Sequence, residues 1–446
     1  MPDPLLPESP TAASLLPPDD ALRVGLHNEV HTRPTAEIQL PALVVYVAVL
    51  NSGVSRDSEH AHLSSLPGMA GLARSSLESN FVRLNLPDCT VKWERHSEFS
   101  RYSIVQELPA HAVLGTQEPA LTPNLAVSAA WLRAIPGSTI AAIKLVLVTG
   151  DLRAPQEAMA QVRAWFGDAQ VVASVVGADG HSLAASDFAL RPSGFSRMLV
   201  VAPAGTSPSR AGRLTQRLIE LETYRMMALR GLPVAKELGA MLSQSESQVA
   251  SIIGQLEGKS ASDQELLDTL VALAARVERE VAQHMYRFSA TAAYDALVQQ
   301  RIQELRERPI PGTQTIGEFM QRRLSPAIAT VAATRLRLQT LSERVARASD
   351  LLRTRVDIAT ETQNQQLLEK LTRGQELQLR LQSTVEGLSI AAISYYVVSL
   401  LYYGAKALRG MGLALDPEVV AGLLVPLVLW GVWRLTRRIT RKIYRT

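Results

Sequence analysis

Histidine and carboxylate residues occur together in the segment His27-Asn28-Glu29-Val30-His31. In an extended backbone His27, Glu29 and His31 share one face, and in a helix the two histidines stand four residues apart. Either arrangement can hold a metal ion. The order differs from that of zinc proteases, in which Glu directly follows the first His. The segment therefore offers His27, Glu29 and His31 as ligands for a divalent cation.

A second cluster runs from Trp93 to Phe99, with the sequence WERHSEF. On a strand, Glu94, His96 and Glu98 would line one face, where imidazole and carboxylates bind metal or move protons. His96 would then join the candidate metal ligands. The alternative is charge pairing between neighbouring strands of a half-exposed sheet, and the sequence leaves both open. His60 and His62 fall in a predicted loop.

A third polar cluster spans Glu220 to Arg225. Glu222 and Arg225 stand at i and i+3 of a predicted helix, which favours a structural salt bridge. The sequence contains no phosphate-binding glycine loop, no nucleophile elbow and no basic residues interleaved with aromatic ones. It therefore indicates neither a complete catalytic motif nor a nucleic-acid interface.

The chain has 446 residues, of which 47% are hydrophobic and 20% are charged, and its formal net charge is only +4. The single cysteine, Cys89, excludes an intrachain disulfide and suits a reducing compartment. Residues 1–20 are rich in Pro and Ser and lack the basic and apolar regions of a signal peptide. We expect a disordered tail there, followed by a cytoplasmic body.

Strand-like and helix-like runs alternate over residues 21–205, which predicts an α/β domain with a mixed sheet. The apolar run from Leu40 to Leu50 predicts a buried strand, while Thr90–Ser97 and Ser100–Gln106 predict more exposed strands. Helices are predicted at Pro67–Arg83 and Pro155–Phe166. Strand signals stop after Pro208, and residues 206–325 predict a helical region. Within it, Thr315 and Glu318 predict a capping box, and Arg308-Pro309-Ile310-Pro311-Gly312 predicts a break between helices.

Ser325-Pro326 favours the start of another helix, and the chain contains no proline from there to the end of an apolar segment near residue 405. Residues 326–387 therefore predict a stalk helix that enters the membrane and reaches a length on the order of 100 Å. Apolar or small residues recur along it at spacings of three and four. Packing on the earlier helices and oligomerisation explain this row equally well.

Residues 388–446 predict two membrane helices and a basic tail. Leu388–Ala405 lacks charged residues and is long enough to span a bilayer. Val419–Trp433 is shorter, and a re-entrant or interfacial helix is the alternative. Arginines crowd after Trp433, so the positive-inside rule places both termini in the cytoplasm. Tyr395, Ser399 and Tyr402 form a polar stripe that lines a pore or bonds the second membrane helix.

Several motifs resemble a bacterial family of uncharacterised membrane-anchored proteins that contain a domain of unknown function. They are LHNEVHTRP, WERHSEF, ELETYRMMALRGLP and the segment from Arg353 to Tyr396. The resemblance covers nearly the whole chain. It implies a protein of the bacterial inner membrane but no activity.

The order of elements also resembles that of CorA-type divalent-cation transporters, which are pentamers with a pore lined by the stalk and the first membrane helix. Their Gly-Met-Asn motif is replaced here by Tyr403-Gly404-Ala405-Lys406, so the resemblance implies an altered selectivity. It predicts a homo-oligomer whose cation path is lined by Thr360, Gln363, Asn364, Tyr395, Ser399 and Tyr402. The alternatives are a membrane-anchored scaffold or regulator without transport activity, and a metal-dependent enzyme built on His27, Glu29, His31 and His96.

Overall fold

The computed structural model describes residues 20–23, 26, 37–109, 124–167, 169–258, 262–411 and 416–443. The chain divides into two compact units, one formed by Met1–Gly258 with Thr269–Arg347 and the other by Lys259–Asp268 with Ala348–Thr446. The domain boundaries expected from the sequence stay predictions.

The first unit is built on a mixed sheet, as predicted. Its strands are β1 Ala42–Leu50, β2 Phe81–Asn85, β3 Cys89–Arg95, β4 Phe99–Glu107, β5 Ser138–Thr149, β6 Val172–Val176, β7 Ser182–Ser186, β8 Ser196–Ala202 and β9 Arg308–Pro309. Their order in the sheet is β2-β3-β4-β1-β5-β8-β7-β6-β9. β5 and β8 pair in parallel, and the other neighbouring strands pair antiparallel.

Long helices follow the sheet, also as predicted. The helices are α1 Arg56–Ser64, α2 Ala129–Arg133, α3 Pro155–Phe166, α4 Pro208–Leu229, α5 Gly231–Gly258, α6 Asp263–Leu305, α7 Ile316–Arg323, α8 Ser325–Gly410 and α9 Pro417–Ile443. The predicted start at Ser325 is confirmed. Thr315 and Glu318 form the predicted capping box, in which each side chain accepts a hydrogen bond from the other residue's backbone amide.

Both faces of the sheet are covered, and this explains the apolar run of β1. Val45 packs in one core with residues of α1, α2 and α3, including Leu63, Trp131 and Trp165. Its neighbour Tyr46 packs in a second core with residues of α4, α6 and α7. Because successive side chains of a strand point to opposite faces, every position of β1 needs an apolar or well-bonded side chain.

The prediction that the third and fourth strands are more exposed is wrong. β3 and β4 are mostly buried, including Lys92, Glu94 and Arg101. Polar alternation is typical of a strand with one wet face, but here α4 covers that face and supplies its own polar groups.

The helix predicted over Pro67–Arg83 is also wrong. That segment holds turns, a 3₁₀ helix at Arg74–Leu77 and the start of β2. Gly68 and Asn80 have φ angles of 76° and 56°, which no right-handed helix contains. The helix lies earlier, as α1, so His60 and His62 are helical and not in a loop.

Strands do not stop at Pro208 either. Arg308 and Pro309, in the predicted break between two helices, form β9 and pair antiparallel with β6 at the edge of the sheet. A two-residue strand is too short to give a periodic signal in the sequence.

The buried histidine His62 on α1 provides a test of the packing between α1 and α2. Its ring stacks on Trp131 with a centroid distance of 4.2 Å, and burial lowers its pKa to about 4. An unfolded histidine has a pKa near ~6.5, so below that pH the unfolded chain binds the extra proton. We expect the melting temperature to fall as the pH decreases from about 6.5 to about 4.

The full-length protein in detergent, melted at several pH values, gives the measurement. His62→Phe should flatten part of this dependence, because it removes the buried imidazole. Identical profiles for the parent and His62→Phe would contradict the prediction.

Candidate functional site

The structure describes only some of the residues proposed as metal ligands. His27, Glu29 and His31 lie outside the described residues. Among the residues that are described, no group of three or more His, Cys, Asp or Glu is arranged to hold a metal ion. A divalent-cation site at these positions stays a prediction.

The strand face proposed for Glu94, His96 and Glu98 does not form. β3 ends at Arg95, and His96 lies in the turn before β4, where its ring stacks on Phe99 at a centroid distance of 4.6 Å. Glu98 forms an ion pair with Arg287 of α6. The three side chains therefore do not form one row on a strand, since a turn does not keep the alternation of a strand.

Glu94 belongs instead to a buried ion network between the sheet and α4. Arg101 lies between two carboxylates, with its Nε 2.5 Å from Glu94 Oε2 and its Nη1 3.0 Å from Glu220 Oε1. Lys92 Nζ lies 3.2 Å from Glu94 Oε2. On the other side, Arg301 of α6 donates from Nε to Glu220 Oε2 at 2.7 Å. The network thus joins β3, β4, α4 and α6.

The network continues to the surface through Glu304. Arg301 Nη1 lies 2.8 Å from Glu304 Oε1, and Arg217 Nε lies 3.3 Å from Glu304 Oε2. Positive and negative groups therefore alternate from Lys92 at the sheet to Arg217 on α4, and each buried charge has an opposite charge beside it.

The pKa directions follow from this alternation. Burial raises the pKa of Glu94, but Arg101 and Lys92 outweigh it and lower the pKa to about 2. For Glu220 burial again opposes ionisation, and Arg101 and Arg301 keep its pKa below the usual value. Burial lowers the pKa of Lys92, with Glu94 opposing. Both carboxylates are therefore charged at neutral pH.

The sequence interpretation placed Glu94 and Glu220 in two separate polar clusters and did not identify Arg101, which joins them. The salt bridge predicted between Glu222 and Arg225 is confirmed, with 2.6 Å between Glu222 Oε1 and Arg225 Nη2. Glu220 and Arg101 were missed as partners because they are far apart in the chain. The available signal was the row Gln216, Glu220 and Thr223 at i, i+4 and i+7 on a helix expected to face a sheet.

The residues proposed to line a path lie on α8, within the second unit. Thr360, Gln363 and Asn364 are exposed. Tyr395 is exposed, and Ser399 and Tyr402 are half-buried. Their role in a cation path stays a prediction.

Among the residues that the structure describes, two helices are long and apolar enough to cross a membrane. One is the C-terminal part of α8 and the other is α9, in which Pro426 lies inside the helix. Near the end of α9, Arg434 and Arg437 lie over the rings of Trp430 and Trp433, 4.9 Å and 4.3 Å from the ring centroids. Such pairs suit the boundary between the bilayer and water.

Removal of the central guanidinium tests the ion network. We expect Arg101→Met to decrease the free energy of unfolding by about 3–5 kcal/mol, since it leaves Glu94 and Glu220 buried without their main partner. Arg74→Met is the control, because the pair of Arg74 with Asp57 is largely exposed and is worth less than about 1 kcal/mol. Thermal or denaturant unfolding gives the values, and equal effects of the two substitutions would contradict a buried network.

Comparison with known proteins supports the resemblance to an uncharacterised family. A search of curated proteins finds no match. A family model does match, over residues 18–443, which is nearly the whole chain. This match includes both the sheet with its ion network and the two apolar helices. The chain therefore belongs to the family described as "Protein of unknown function (DUF3422)".

Proposed function

We propose that this is an integral protein of the bacterial inner membrane that assembles as a homo-oligomer and conducts or senses a cation along a path lined by α8. The observation that carries the proposal is one continuous heptad row on this helix. It runs through Thr360, Asn364, Leu367, Leu371, Gly374, Gln378, Leu381, Val385, Leu388, Ala392, Tyr395, Ser399 and Tyr402. The row begins outside the apolar segment and ends inside it.

The part of the row before the apolar segment is exposed in a single chain. Leu371, Leu381 and Val385 are exposed by 65%, 67% and 57%. Burying such a side chain contributes roughly 1.5–3 kcal/mol, so a repeated row is a strong drive for association. The sequence also allowed this stretch to pack on earlier helices. The high exposed fractions of these three side chains do not support that alternative.

A second copy of the chain is the partner that fits the row. A membrane span fixes the direction in which α8 enters the bilayer, so copies in the same membrane present their rows in parallel and in register. Heptad spacing is the pattern by which parallel helices interlock. Parallel association around an axis would bring each row to the centre.

The polar members of the row suit a cation. Thr360 donates its hydroxyl hydrogen to the carbonyl oxygen of Val356 at 2.8 Å, which leaves oxygen lone pairs for a ligand. Asn364, Gln363, Ser399 and the tyrosines add further neutral oxygens, the donors preferred by hard cations. The arginines at the end of α9 support an orientation with both termini in the cytoplasm.

A membrane-anchored scaffold or regulator without transport activity is the second candidate. Lys406 favours it, because the residue is exposed directly after the apolar segment and would place a ring of positive charges at the end of a cation path.

The subunit count tests assembly. We expect the detergent-solubilised protein to elute as one species with a protein mass of about five subunits, as for a CorA-type arrangement, measured by light scattering after size exclusion. Leu381→Glu should break the assembly, because it places repelling carboxylates in the row. Leu379→Glu on another face of α8 is the matched control. A monomeric parent, or equal effects of the two variants, would contradict the proposal.

Cation flux into vesicles that contain the reconstituted protein separates the two candidates. Asn364→Leu and Ser399→Leu should each reduce the flux by more than about tenfold, because each replaces a lining oxygen with an apolar group. Thr362→Leu, on another face of α8, should not. Oligomers without flux would support the scaffold or regulator.

A further inference from the structure

An open cavity of about 380 Å³ lies in the first unit, and its lining includes none of the residues proposed for the cation path. It is formed where β6 turns into β7, at the start of α4 and at the end of α6. Its lining is Val176, Gly177, Ala178, His181, Ser182, Arg210, Arg213, Leu214, Arg217, Glu304, Leu305 and Arg306. This volume is within the range of small-molecule sites, ~300–1,000 Å³.

The cavity lining is strongly positive. It includes four arginines and a single carboxylate, Glu304, which already pairs with Arg217. In the part of the chain that the structure describes, the side chains of Arg210, Arg213 and Arg306 take part in no hydrogen bond or ion pair. Three guanidinium groups around one cavity repel one another, and a bound anion would remove that repulsion.

The start of α4 adds to the positive potential. Its first turn contains no acidic residue, and the N-cap residue Ser207 makes no capping hydrogen bond with its side chain. Arg210 in that turn is unfavourably placed, since the amino end of a helix carries a partial positive charge. Arg210 and Arg213 stand at i and i+3, on one face of the helix, so both reach the same side of the cavity.

The opposite wall is held by unusual backbone geometry. Gly177, Asp179 and Gly180 in the β6–β7 turn and Arg306 after α6 all have positive φ angles, from 50° to 87°. The amide of Gly177 donates to the carbonyl oxygen of Leu305 at 2.7 Å, which joins the turn to the end of α6. At Gly180 an added Cβ would lie 2.8 Å from Val175 Cγ1, so a side chain has no room there. The cavity wall is therefore fixed by packing.

From this geometry we infer that the cavity binds a ligand through a phosphate group, with Arg210 and Arg213 as the principal contacts and Arg306 as a third. Guanidinium groups bind phosphate with two parallel hydrogen bonds. Three guanidinium groups with no ion pair among the described residues call for an anion with more than one negative charge, which favours phosphate over a single carboxylate. The inference is independent of the proposed membrane path.

The ligand site is also connected to the ion network. Arg217 and Glu304 belong to both, so a phosphate that draws Arg217 away from Glu304 changes the partners of Arg301 and, through it, of Glu220. The binding of a phosphate ligand is thus coupled to the contact between α4 and the sheet.

Calorimetric titration of the detergent-solubilised full-length protein with inorganic pyrophosphate tests the inference. We expect saturable binding that weakens as salt increases. Arg213→Gln should weaken it by at least about tenfold, as expected for the loss of one charge-assisted contact. Arg83→Gln is the control. It removes one positive charge, as Arg213→Gln does, but from an exposed arginine on β2 that does not line the cavity.

Acetate at equal ionic strength should not bind. Absence of saturable pyrophosphate binding, or equal binding by the parent, Arg213→Gln and an Arg210→Gln/Arg213→Gln variant, would overturn the inference. A short-chain phosphatidic acid identifies the source of the phosphate: competition with pyrophosphate supports a lipid headgroup, and binding of pyrophosphate without competition supports a soluble phosphorylated ligand.

Discussion

The buried guanidinium of Arg101 is the contact on which the arrangement of the first unit depends. It lies between Glu94 of the sheet and Glu220 of α4, and Arg301 of α6 completes the charge balance of Glu220. Buried ion pairs often contribute little net stability, because desolvation offsets the attraction. Their geometric demand is nevertheless strict, since a shift of α4 along the sheet would separate Glu220 from Arg101 and break the buried contact that joins the helix to the sheet. We attribute to this network the placement of α4, and an apolar interface alone would tolerate sliding more easily.

The elements predicted well were those whose signal is local. β1 follows from an unbroken apolar run, α3 from its period of 3.6 residues, and the starts of α7 and α8 from a capping box and a Ser-Pro pair. The errors arise where a distant segment changes the environment. The polar residues of β3 and β4 predicted exposed strands. These residues are buried because α4, which carries Glu220 more than a hundred positions later in the chain, covers them. The partners of Arg101 and the cavity lined by arginines could not be predicted because their residues come from segments that only the fold brings together.

In the proposed assembly, helix α8 uses the same heptad spacing in water and in the membrane, although the forces differ. Outside the apolar segment, the burial of leucines would drive association. Inside it, the surrounding lipid would be as apolar as leucine, so close packing and hydrogen bonds between helices would have to take over. The change from Leu367, Leu371 and Leu381 to Ala392, Tyr395 and Ser399 follows this change of solvent. In that proposal, a single row would hold copies of the helix together along its length while its chemistry changes from apolar to polar.

The two residues of β9 also have a consequence for the order of synthesis. β9 pairs with β6, and Ile316 and Met320, which come later still, belong to the core on the α4 face of the sheet. A ribosome must therefore have released more than 320 residues before this core can close. Its contacts are far apart in sequence, which slows folding. The apolar segment of α8 emerges only after that point, so in the proposed membrane topology the sheet and its two cores can form before that segment enters the bilayer. A nascent chain stopped before Arg308 would present an open sheet edge to chaperones.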